Sequence, residues 1–206
     1  MTQHDSAPPG YHLPTDLTGG HPTRHLTERL TLRPIRAADF PLLQAIFTHP
    51  ATTAHRPDPR VESVGECRAR LERYLDHWRD HGFGLWVLEI REIGAREAGG
   101  HQAGVRENRE IGIGGLTHRA GFSGLNLSYH IHPDHWRRGF ASEFASAAVD
   151  IAFQDLAASR VIGVVRPVNR ASRRVLEKAG LTLEREIVYG DHPGLLYVKR
   201  RDLLAR

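Results

Sequence analysis

The feature that most constrains the fold is a segment in which the spacing of apolar residues changes once. At 125–132 apolar and polar residues alternate, as in a strand with one face in the protein core and the other in a polar environment. Beyond Gly139 the apolar residues follow the helical period, at Phe140, Phe144 and Ile151. A strand with one polar face therefore runs through a short loop into a helix.

Apolar spacing along the rest of the chain predicts one mixed α/β domain. Besides the helix that follows Gly139, helices are predicted at 37–48, 61–81 and 171–179. Strands are predicted at 26–35, 83–90, 110–117, 125–132, 160–165, 183–188 and 195–199. Residues 1–25 contain several Pro and Gly residues without periodicity and are interpreted as a flexible tail, which leaves 26–206 as the domain. A Gly-rich, charged stretch at 91–109 predicts a long hairpin loop.

The composition excludes several classes of protein. The 206 residues, 40% of them hydrophobic, are enough for one domain with a core of its own. No apolar run reaches the roughly 18 residues of a membrane span, and the first residues lack the layout of a signal peptide. A single cysteine, Cys67, allows no internal disulfide and no thiolate metal cluster. We therefore expect a cytoplasmic protein without membrane contact.

The net charge of +4 does not identify a partner by itself. A basic chain can bind nucleic acid, a membrane surface or an anionic ligand. Among the Lys and Arg residues all but Lys178 and Lys199 are arginines, and their spacing shows no single face that would follow a nucleic acid. We therefore expect no nucleic-acid partner, and the position of the arginines has to decide what they bind.

One informative position is the loop at 136–141, with the sequence WRRGFA, between the alternating strand and the helix. Gly139 allows close approach of the backbone to a ligand, and the first turn of a helix offers unpaired N–H groups and the positive end of the helix dipole. Arg137 and Arg138 add charge where an anion would arrive. The alternative is a solvated arginine-rich loop, because so short a pattern also arises by chance.

Five segments in chain order resemble a known family, the GNAT N-acetyltransferase superfamily. Three of them resemble its acetyl-CoA-binding elements: SYHIHP at 128–133, WRRGFA at 136–141 and NRASRRVLEKAG at 169–180. LTLRPIRAAD at 30–39 and GFGLW at 82–86 are similar to the branch that includes ribosomal-protein N-terminal acetyltransferases of the RimJ and RimL type. The resemblance covers 26–203 and implies the GNAT fold, a mixed, mostly antiparallel central sheet with a splayed strand pair and the four predicted helices.

The resemblance also implies how acetyl-CoA is held, without any metal. The splayed strands are 125–132 and 160–165, with the pantetheine arm between them. The main chain of Ile131 and, from the other side, Asn169 contact the arm, and Ser172 lies near the thioester sulfur, where it protonates the departing thiolate. Backbone amides of the loop hold the pyrophosphate, those of Arg137, Arg138, Gly139, Phe140 and Ala141.

Two positions in the loop depart from the family pattern. Trp136 replaces a frequent Gln or Arg, although Trp also occurs there in this branch, and Arg137 replaces a frequent Gly. Because the bonds come from the main chain, we expect cofactor binding to survive both changes.

The acceptor side departs further from the family pattern. Relatives often have a glutamate that takes the proton of the amine, and Asn126 stands in its place, although an amide cannot act as a base. His130, on the same polar strand face, and His118, after the neighbouring strand, are candidates, because imidazole titrates near pH 6.5. The alternative is that Asn126, Ser128 and His130 simply border a solvated cleft, since a polar face on an interior strand needs water or ligand beside it.

The missing carboxylate favours an acceptor amine of low pKa. Deprotonation at pH 7.4 costs an α-amine about 0.5 kcal/mol and lysine roughly 4 kcal/mol. We therefore expect a protein N-terminus or a small amine, whose neutral form attacks the thioester directly. A backbone N–H of the splayed strand would hold the oxyanion, and Ser172 would act as the acid.

Other functions fit parts of the sequence. The missing glutamate also suits a noncatalytic acyl-CoA-binding or sensing module. An acetyltransferase for small molecules, such as antibiotics or polyamines, is a further alternative, although the segment 48–60 has no acidic cluster that would hold a polycation. We expect a monomer or homodimer whose partners are acetyl-CoA and an amine.

Two further chemistries receive little support from the spacing. His130, His132 and His135 do not specify a metal cage, because two of them alternate along a strand and the third follows Pro133. Cys67 lies in an arginine-rich helix, and a catalytic thiol would need a paired histidine that the spacing does not reveal.

Overall fold

The computed structural model describes residues 24–54, 56, 58–91 and 110–201. Their strands are β1 His25–Leu26, β2 Leu30–Pro34, β3 Leu85–Ile90, β4 Glu110–Thr117, β5 Leu125–Ile131, β6 Arg160–Val165, β7 Thr182–Tyr189 and β8 His192–Arg200. Their helices are α1 Phe40–Phe47, α2 Pro50–Thr53, α3 Val64–His81, α4 Phe140–Gln154 and α5 Arg170–Lys178. The strands form one sheet in the order β1-β2-β3-β4-β5-β6-β8-β7. Among the described helices, none is long and apolar enough to cross a bilayer.

The predicted strands and helices are all present, which confirms the mixed α/β fold, and two short elements were missed. Strand β1 begins at His25, the last residue of the predicted tail, while 1–23 lie outside the described residues. The segment 48–60, expected to be a loop, contains α2, where Pro50 occupies the first turn and the His49 ring accepts a hydrogen bond from the Ala51 amide. The hairpin loop expected at 91–109 lies outside the described residues except for Arg91.

The two faces of the sheet carry separate cores. Helices α4 and α5 cover one face, on which β5 contributes four residues to the core, Leu125, Leu127, Tyr129 and Ile131. Helices α1 and α3 cover part of the opposite face, where Phe47 and Ile113 belong to a second core. Ile113 pairs with His130 in the β4–β5 register, and residues that pair directly share a face. The polar residues of β5 therefore face away from α4.

Strands β5 and β6 form the parallel pair of an otherwise antiparallel sheet, and their pairing is short. Both strands are described in full, and their register contains only Leu125 with Val161 and Asn126 with Ile162. Beyond these residues β5 stays paired with β4 and β6 stays paired with β8. The two strands therefore diverge and leave a wedge between them, which confirms the predicted splayed pair.

Candidate active site

The loop at 136–141 is separated from the end of β5 by a single 3₁₀ turn, Pro133–His135. The Trp136 indole Nε1 donates a hydrogen bond of 2.7 Å to the Ile131 carbonyl oxygen. This carbonyl belongs to the residue whose main chain was expected to contact the pantetheine arm. Because a carbonyl oxygen has two lone pairs, it can accept a second hydrogen bond. This hydrogen bond holds the start of the loop beside the end of β5, at the wedge.

Two residues of the loop have left-handed backbone conformations. Arg137 has φ 61° and Gly139 has φ 83°, while Arg138 between them has a negative φ. Such alternation turns successive N–H groups toward one point, a geometry that binds anions. A glycine adopts it freely, whereas an arginine pays about 1 to 2 kcal/mol for the left-handed conformation. The family resemblance implies a frequent Gly at the position of Arg137, and here an arginine adopts the left-handed conformation.

The loop has a run of backbone donors without acceptors. In the part of the chain that the structure describes, no protein group accepts a hydrogen bond from the N–H of Arg137, Arg138, Gly139, Phe140 or Ala141. The next two amides of α4, at Ser142 and Glu143, both donate to the Gly139 carbonyl oxygen at 3.1 Å. Five consecutive N–H groups at the start of a helix fit a pyrophosphate, the group that the resemblance assigns to them.

Arg29 holds this loop against the start of β2. Its Nε and its backbone N–H each donate to the Glu143 carboxylate at 2.7 Å, and its guanidinium donates to the Arg138 carbonyl oxygen at 2.9 Å. The guanidinium carbons of Arg29 and Arg138 lie 4.8 and 5.0 Å from the centroid of the Phe140 ring. Sequence reasoning missed Arg29, since more than a hundred residues separate it from the loop and no spacing rule connects the two.

Glu143 is the ionised partner in this arrangement. Partial burial alone would raise the pKa of its carboxyl group, but hydrogen bonds from Thr27 and Arg29 outweigh burial and hold the pKa below its ordinary value. The carboxylate is therefore charged at neutral pH, and it restrains Arg29 beside the loop.

Ser172 meets Tyr129 across the wedge. Asn169 caps α5, because its Oδ1 accepts the Ser172 amide hydrogen at 3.0 Å, and this cap fixes the position of Ser172. The Tyr129 hydroxyl donates to Ser172 Oγ at 3.1 Å. Burial raises the pKa of Tyr129 to about 12, although the bond to Ser172 acts against this rise, so the phenol stays protonated. The contact between Tyr129 and Ser172 was not foreseen from the sequence.

The polar face of β5, formed by Asn126, Ser128 and His130, lies on the other side of the strand. Asn126 is only 5% exposed, and the His130 ring lies 4.6 Å from the Phe47 ring between centroids. Because alternate residues of a strand point to opposite faces, the structure brings Ser172 to Tyr129 and not to His130. A buried amide next to a half-buried imidazole makes this face polar without a carboxylate.

His118 belongs to a different group of side chains. Its backbone N–H donates to His77 Nε2 at 3.1 Å, and its ring centroid lies 4.8 Å from that of His81 and 5.5 Å from that of Phe83. Partial burial, together with the nearby His81, lowers the pKa of His118. The ring is therefore part of a cluster at the end of α3, and this cluster reduces its capacity to hold a proton at neutral pH.

The remaining candidate groups have simple surroundings. Cys67 lies on α3 and is fully buried in the second core, and burial raises the pKa of its thiol. Within the described ranges, no group of three or more His, Cys, Asp or Glu side chains is arranged to hold a metal ion.

Comparison with known proteins identifies the family. The model of the acetyltransferase (GNAT) domain matches residues 29–182. The chain belongs to the GNAT acetyltransferase family. It is therefore an N-acetyltransferase, of a family whose members use acetyl-CoA, and the resemblance drawn from the motifs is confirmed at this level.

Individual relatives of this GNAT chain cover most of its length. It is 30% identical to the uncharacterized N-acetyltransferase YoaA of Bacillus subtilis (strain 168), over 77% of this chain and 82% of the relative. An acetyltransferase from Agrobacterium tumefaciens str. C58 superimposes with TM-score 0.71 and 27% identity, over 94% of this chain and all of the other. RimL, a ribosomal L7/L12 α-N-protein acetyltransferase solved with coenzyme A, shares the fold with TM-score 0.65 and 17% identity, over 85% and 96% of the two chains.

Proposed function

We propose that this GNAT protein transfers the acetyl group of acetyl-CoA to a neutral α-amine, of a protein N-terminus or of a small molecule, as in the RimJ and RimL branch. The observation that carries the proposal is the run of five unpaired N–H groups at 137–141, at the open end of a wedge lined by Tyr129 and Ser172. The run fits the pyrophosphate of the cosubstrate. The wedge leads from it to the hydroxyl of Ser172, which would protonate the leaving thiolate of the thioester.

The main chain of the 136–141 loop would supply most of the cosubstrate binding. Backbone N–H groups at a helix start are fixed in direction and meet the macrodipole of α4, so they lose little freedom on binding an anion. Arg137 and Arg138 have no carboxylate partner within the described residues and would add charge to the same anion. Arg29 is already paired with Glu143 and would position the loop without being a principal ligand.

Ser172 would act as the acid in the reaction. The amine nitrogen forms a bond to the thioester carbonyl carbon, the carbon–sulfur bond breaks, and the sulfur takes the proton of Ser172 Oγ. The ammonium nitrogen loses one proton to the solvated polar face, and Ser172 regains one, so that protons balance over a turnover. A phenol that donates to Ser172 Oγ polarises this hydroxyl and makes its proton easier to release, which assigns Tyr129 a positioning role.

The polar face of β5 supports the choice of acceptor. Asn126 is an amide in a buried position and cannot remove a proton, so the site has to receive an amine that is already neutral for part of the time. His130 and water beside it would take the proton released after the attack. Asn126 and His130 lie on the face of the sheet opposite the one that α4 covers, so the amine and the cosubstrate would approach the wedge from different sides.

The proposal is tested by following the release of free thiol from acetyl-CoA. Purified protein is mixed with acetyl-CoA and a panel of amines that contains N-terminal peptides, lysine derivatives and spermidine, between pH 6 and pH 9. We expect turnover that is greatest with peptide α-amines, whose neutral fraction at pH 7.4 exceeds that of lysine by more than about a hundredfold. A preference for lysine side chains or spermidine would contradict the proposed acceptor.

A second candidate function is a noncatalytic acyl-CoA-binding module. The buried amide of Asn126, at the position where a base is frequent, favours it. The same experiment separates the two functions, because a pure binding module gives a calorimetric signal with acetyl-CoA but no thiol release with any amine.

A further inference from the structure

Two arginines and a tyrosine from different segments lie together beside the wedge. The guanidinium carbon of Arg119, in the β4–β5 connection, is 4.5 Å from the ring centroid of Tyr189, and that of Arg166, just after β6, is 4.8 Å from it. Arg56, between α2 and α3, lies near enough to influence the same phenol electrostatically. We call these residues the arginine–tyrosine cluster: Arg56, Arg119, Arg166 and Tyr189.

The positive charge of this cluster is not compensated by carboxylates. In the described part of the chain, neither Arg119 nor Arg166 forms an ion pair. Besides Tyr189, Arg119 contacts the Phe122 ring and Arg166 donates to the Pro193 carbonyl oxygen. Other arginines are paired with Asp or Glu, among them Arg24, Arg29, Arg33, Arg60, Arg70, Arg79, Arg160 and Arg200. Two guanidinium groups held against one phenol ring concentrate positive charge there, so a carboxylate that binds beside the ring is stabilised.

Arg56 adds to this charge with little compensation. Its carboxylate partner, Glu62, is 3.8 Å away and already accepts two hydrogen bonds from Arg70. The pKa of the Tyr189 phenol reflects this positive charge. Partial burial would raise the pKa, but Arg119, Arg166 and Arg56 together lower it.

The cluster lies on the same face of the sheet as the polar residues of β5. Asn126 pairs with Ile162 in the β5–β6 register, so their side chains share a face. Ile162 belongs to a small core against which Phe122 and Ile187 pack. The segment that carries Arg119 and Phe122 therefore covers this face. Arg166 directly follows Val165, at the end of β6 where the wedge is open.

We propose that the arginine–tyrosine cluster binds a carboxylate of the acceptor, so that the substrates are amines bearing a carboxylate within a few residues of the reacting nitrogen. This inference rests on the proposed function and narrows it. Guanidinium groups bind carboxylates through paired, charge-assisted hydrogen bonds, and the Tyr189 hydroxyl offers a further donor beside them. Such a site disfavours polyamines, whose ammonium groups would meet Arg119 and Arg166 at short distance.

The experiment uses two peptides with the same N-terminal Ala, one with Asp and Glu at the next two positions and one with Asn and Gln there, plus free glutamate. Values of kcat/KM from thiol release are measured for the wild-type protein, Arg119→Gln, Arg166→Gln and the charge-conserving Arg119→Lys. Arg79→Gln, on the exposed side of α3, is the matched control for the loss of one positive charge.

We expect the wild-type protein to use the acidic peptide at least about tenfold better than its amide counterpart, as for a hydrogen bond to a charged group. Arg119→Gln and Arg166→Gln should each lose most of that ratio, without a change in the KM for acetyl-CoA, whereas Arg79→Gln keeps it and Arg119→Lys keeps part of it. High activity on free glutamate identifies a small acidic amine as the source of the carboxylate, and high activity on the acidic peptide alone identifies a protein N-terminus.

Equal use of the two peptides by the wild-type protein overturns the inference, as does a ratio that survives both Arg→Gln variants. The affinity of the two peptides for protein saturated with coenzyme A is also measured by calorimetry. If no amine is acetylated, the proposed function fails, yet tighter binding of the acidic peptide still supports the carboxylate site and equal binding still contradicts it.

Discussion

The 136–141 loop and the polar face of β5 with its neighbouring arginines are built from different parts of the polypeptide. The loop offers five consecutive main-chain N–H groups, whereas the proposed acceptor side relies on side chains from five separate segments. We expect a backbone site to accept Trp136 and Arg137, because its binding groups do not depend on side-chain identity. A site built from side chains can change its ligand preference when one of those side chains is replaced. This difference explains why the family could be recognised from motifs while the acceptor could not.

The largest effect is expected from removal of the proposed acid at the boundary between the two regions. Ser172→Ala should lower kcat by about 100-fold, in the range of general acid catalysis, while the KM for acetyl-CoA stays within about twofold. Steady-state thiol release at saturating acetyl-CoA measures this. Ser146→Ala, on the exposed surface of α4, is the matched control. An unchanged kcat for Ser172→Ala would remove Ser172 from the mechanism.

The second largest effect is expected on acetyl-CoA binding when the backbone conformation of the 136–141 loop is changed. Gly139 has φ 83°, and an added Cβ would approach the Arg29 guanidinium to 3.2 Å. Gly139→Val places a β-branched residue in a left-handed conformation, so the loop should shift and the Kd for acetyl-CoA should rise at least about tenfold. Calorimetric titration measures this. Unchanged affinity would mean that the loop is not the binding site.

On the acceptor side the test is His130→Gln, which keeps a polar side chain but removes the imidazole. We expect kcat/KM for the amine to fall about tenfold, because the amide cannot accept the proton of the amine. The affinity for acetyl-CoA should not change, which separates this region from the loop. His118→Gln is the control, since its ring belongs to the cluster with His77 and His81. Equal effects of the two variants would contradict a role for His130.

Glu143 links stability to pH at the loop. Since its pKa is lowered in the folded state, its contribution to stability is complete above the unfolded value of about 4.5 and is lost as the pH falls through the lower, folded value. Glu143→Gln should cost about 2 kcal/mol at pH 7, as for hydrogen bonds to a charged group, and should flatten the decline of stability below pH 4.5. Urea unfolding at pH 7 and pH 3.5 measures both quantities. A parallel decline in wild type and variant would assign the pH dependence to other groups.

The smallest effect is expected at Arg137. Replacement by Gly relieves the left-handed strain but adds freedom to the unfolded chain, and the two effects nearly cancel, so Arg137→Gly should change the free energy of unfolding by less than about 1 kcal/mol. If the main chain makes the bonds, the Kd for acetyl-CoA should stay within about threefold. A tenfold loss in affinity would show that the Arg137 side chain is a principal ligand.

Local patterns predicted the parts of the site that are local in sequence. The alternation at 125–132 and the glycine before α4 predicted strand β5 and the loop that follows it, because both depend on backbone periodicity or on a short motif. The wedge and the place of Ser172 in the NRAS segment at 169–172 were implied by the family resemblance. Local patterns missed α2, since a single helical turn begun by a proline has no period to detect.

The contacts between distant segments could not be predicted. Arg29 contacts Glu143 although more than a hundred residues separate them in the sequence, and Tyr129 contacts Ser172 across the wedge. Arg119 and Arg166 meet at Tyr189 only because two connections and the end of β7 converge on one face of the sheet. These contacts depend on tertiary packing, and neither hydrophobic periodicity nor the family motifs contain that information.

The central claim is that consecutive main-chain amides of the 136–141 loop hold the pyrophosphate of acetyl-CoA. The direct measurement is the change in amide ¹H and ¹⁵N chemical shifts of assigned, isotopically labelled protein on titration with acetyl-CoA. We predict that the largest shifts occur at the amides of 137–141, with protection of these N–H groups from exchange. Saturation of binding, or continued thiol release, with the resonances of these five amides unmoved would contradict the claim.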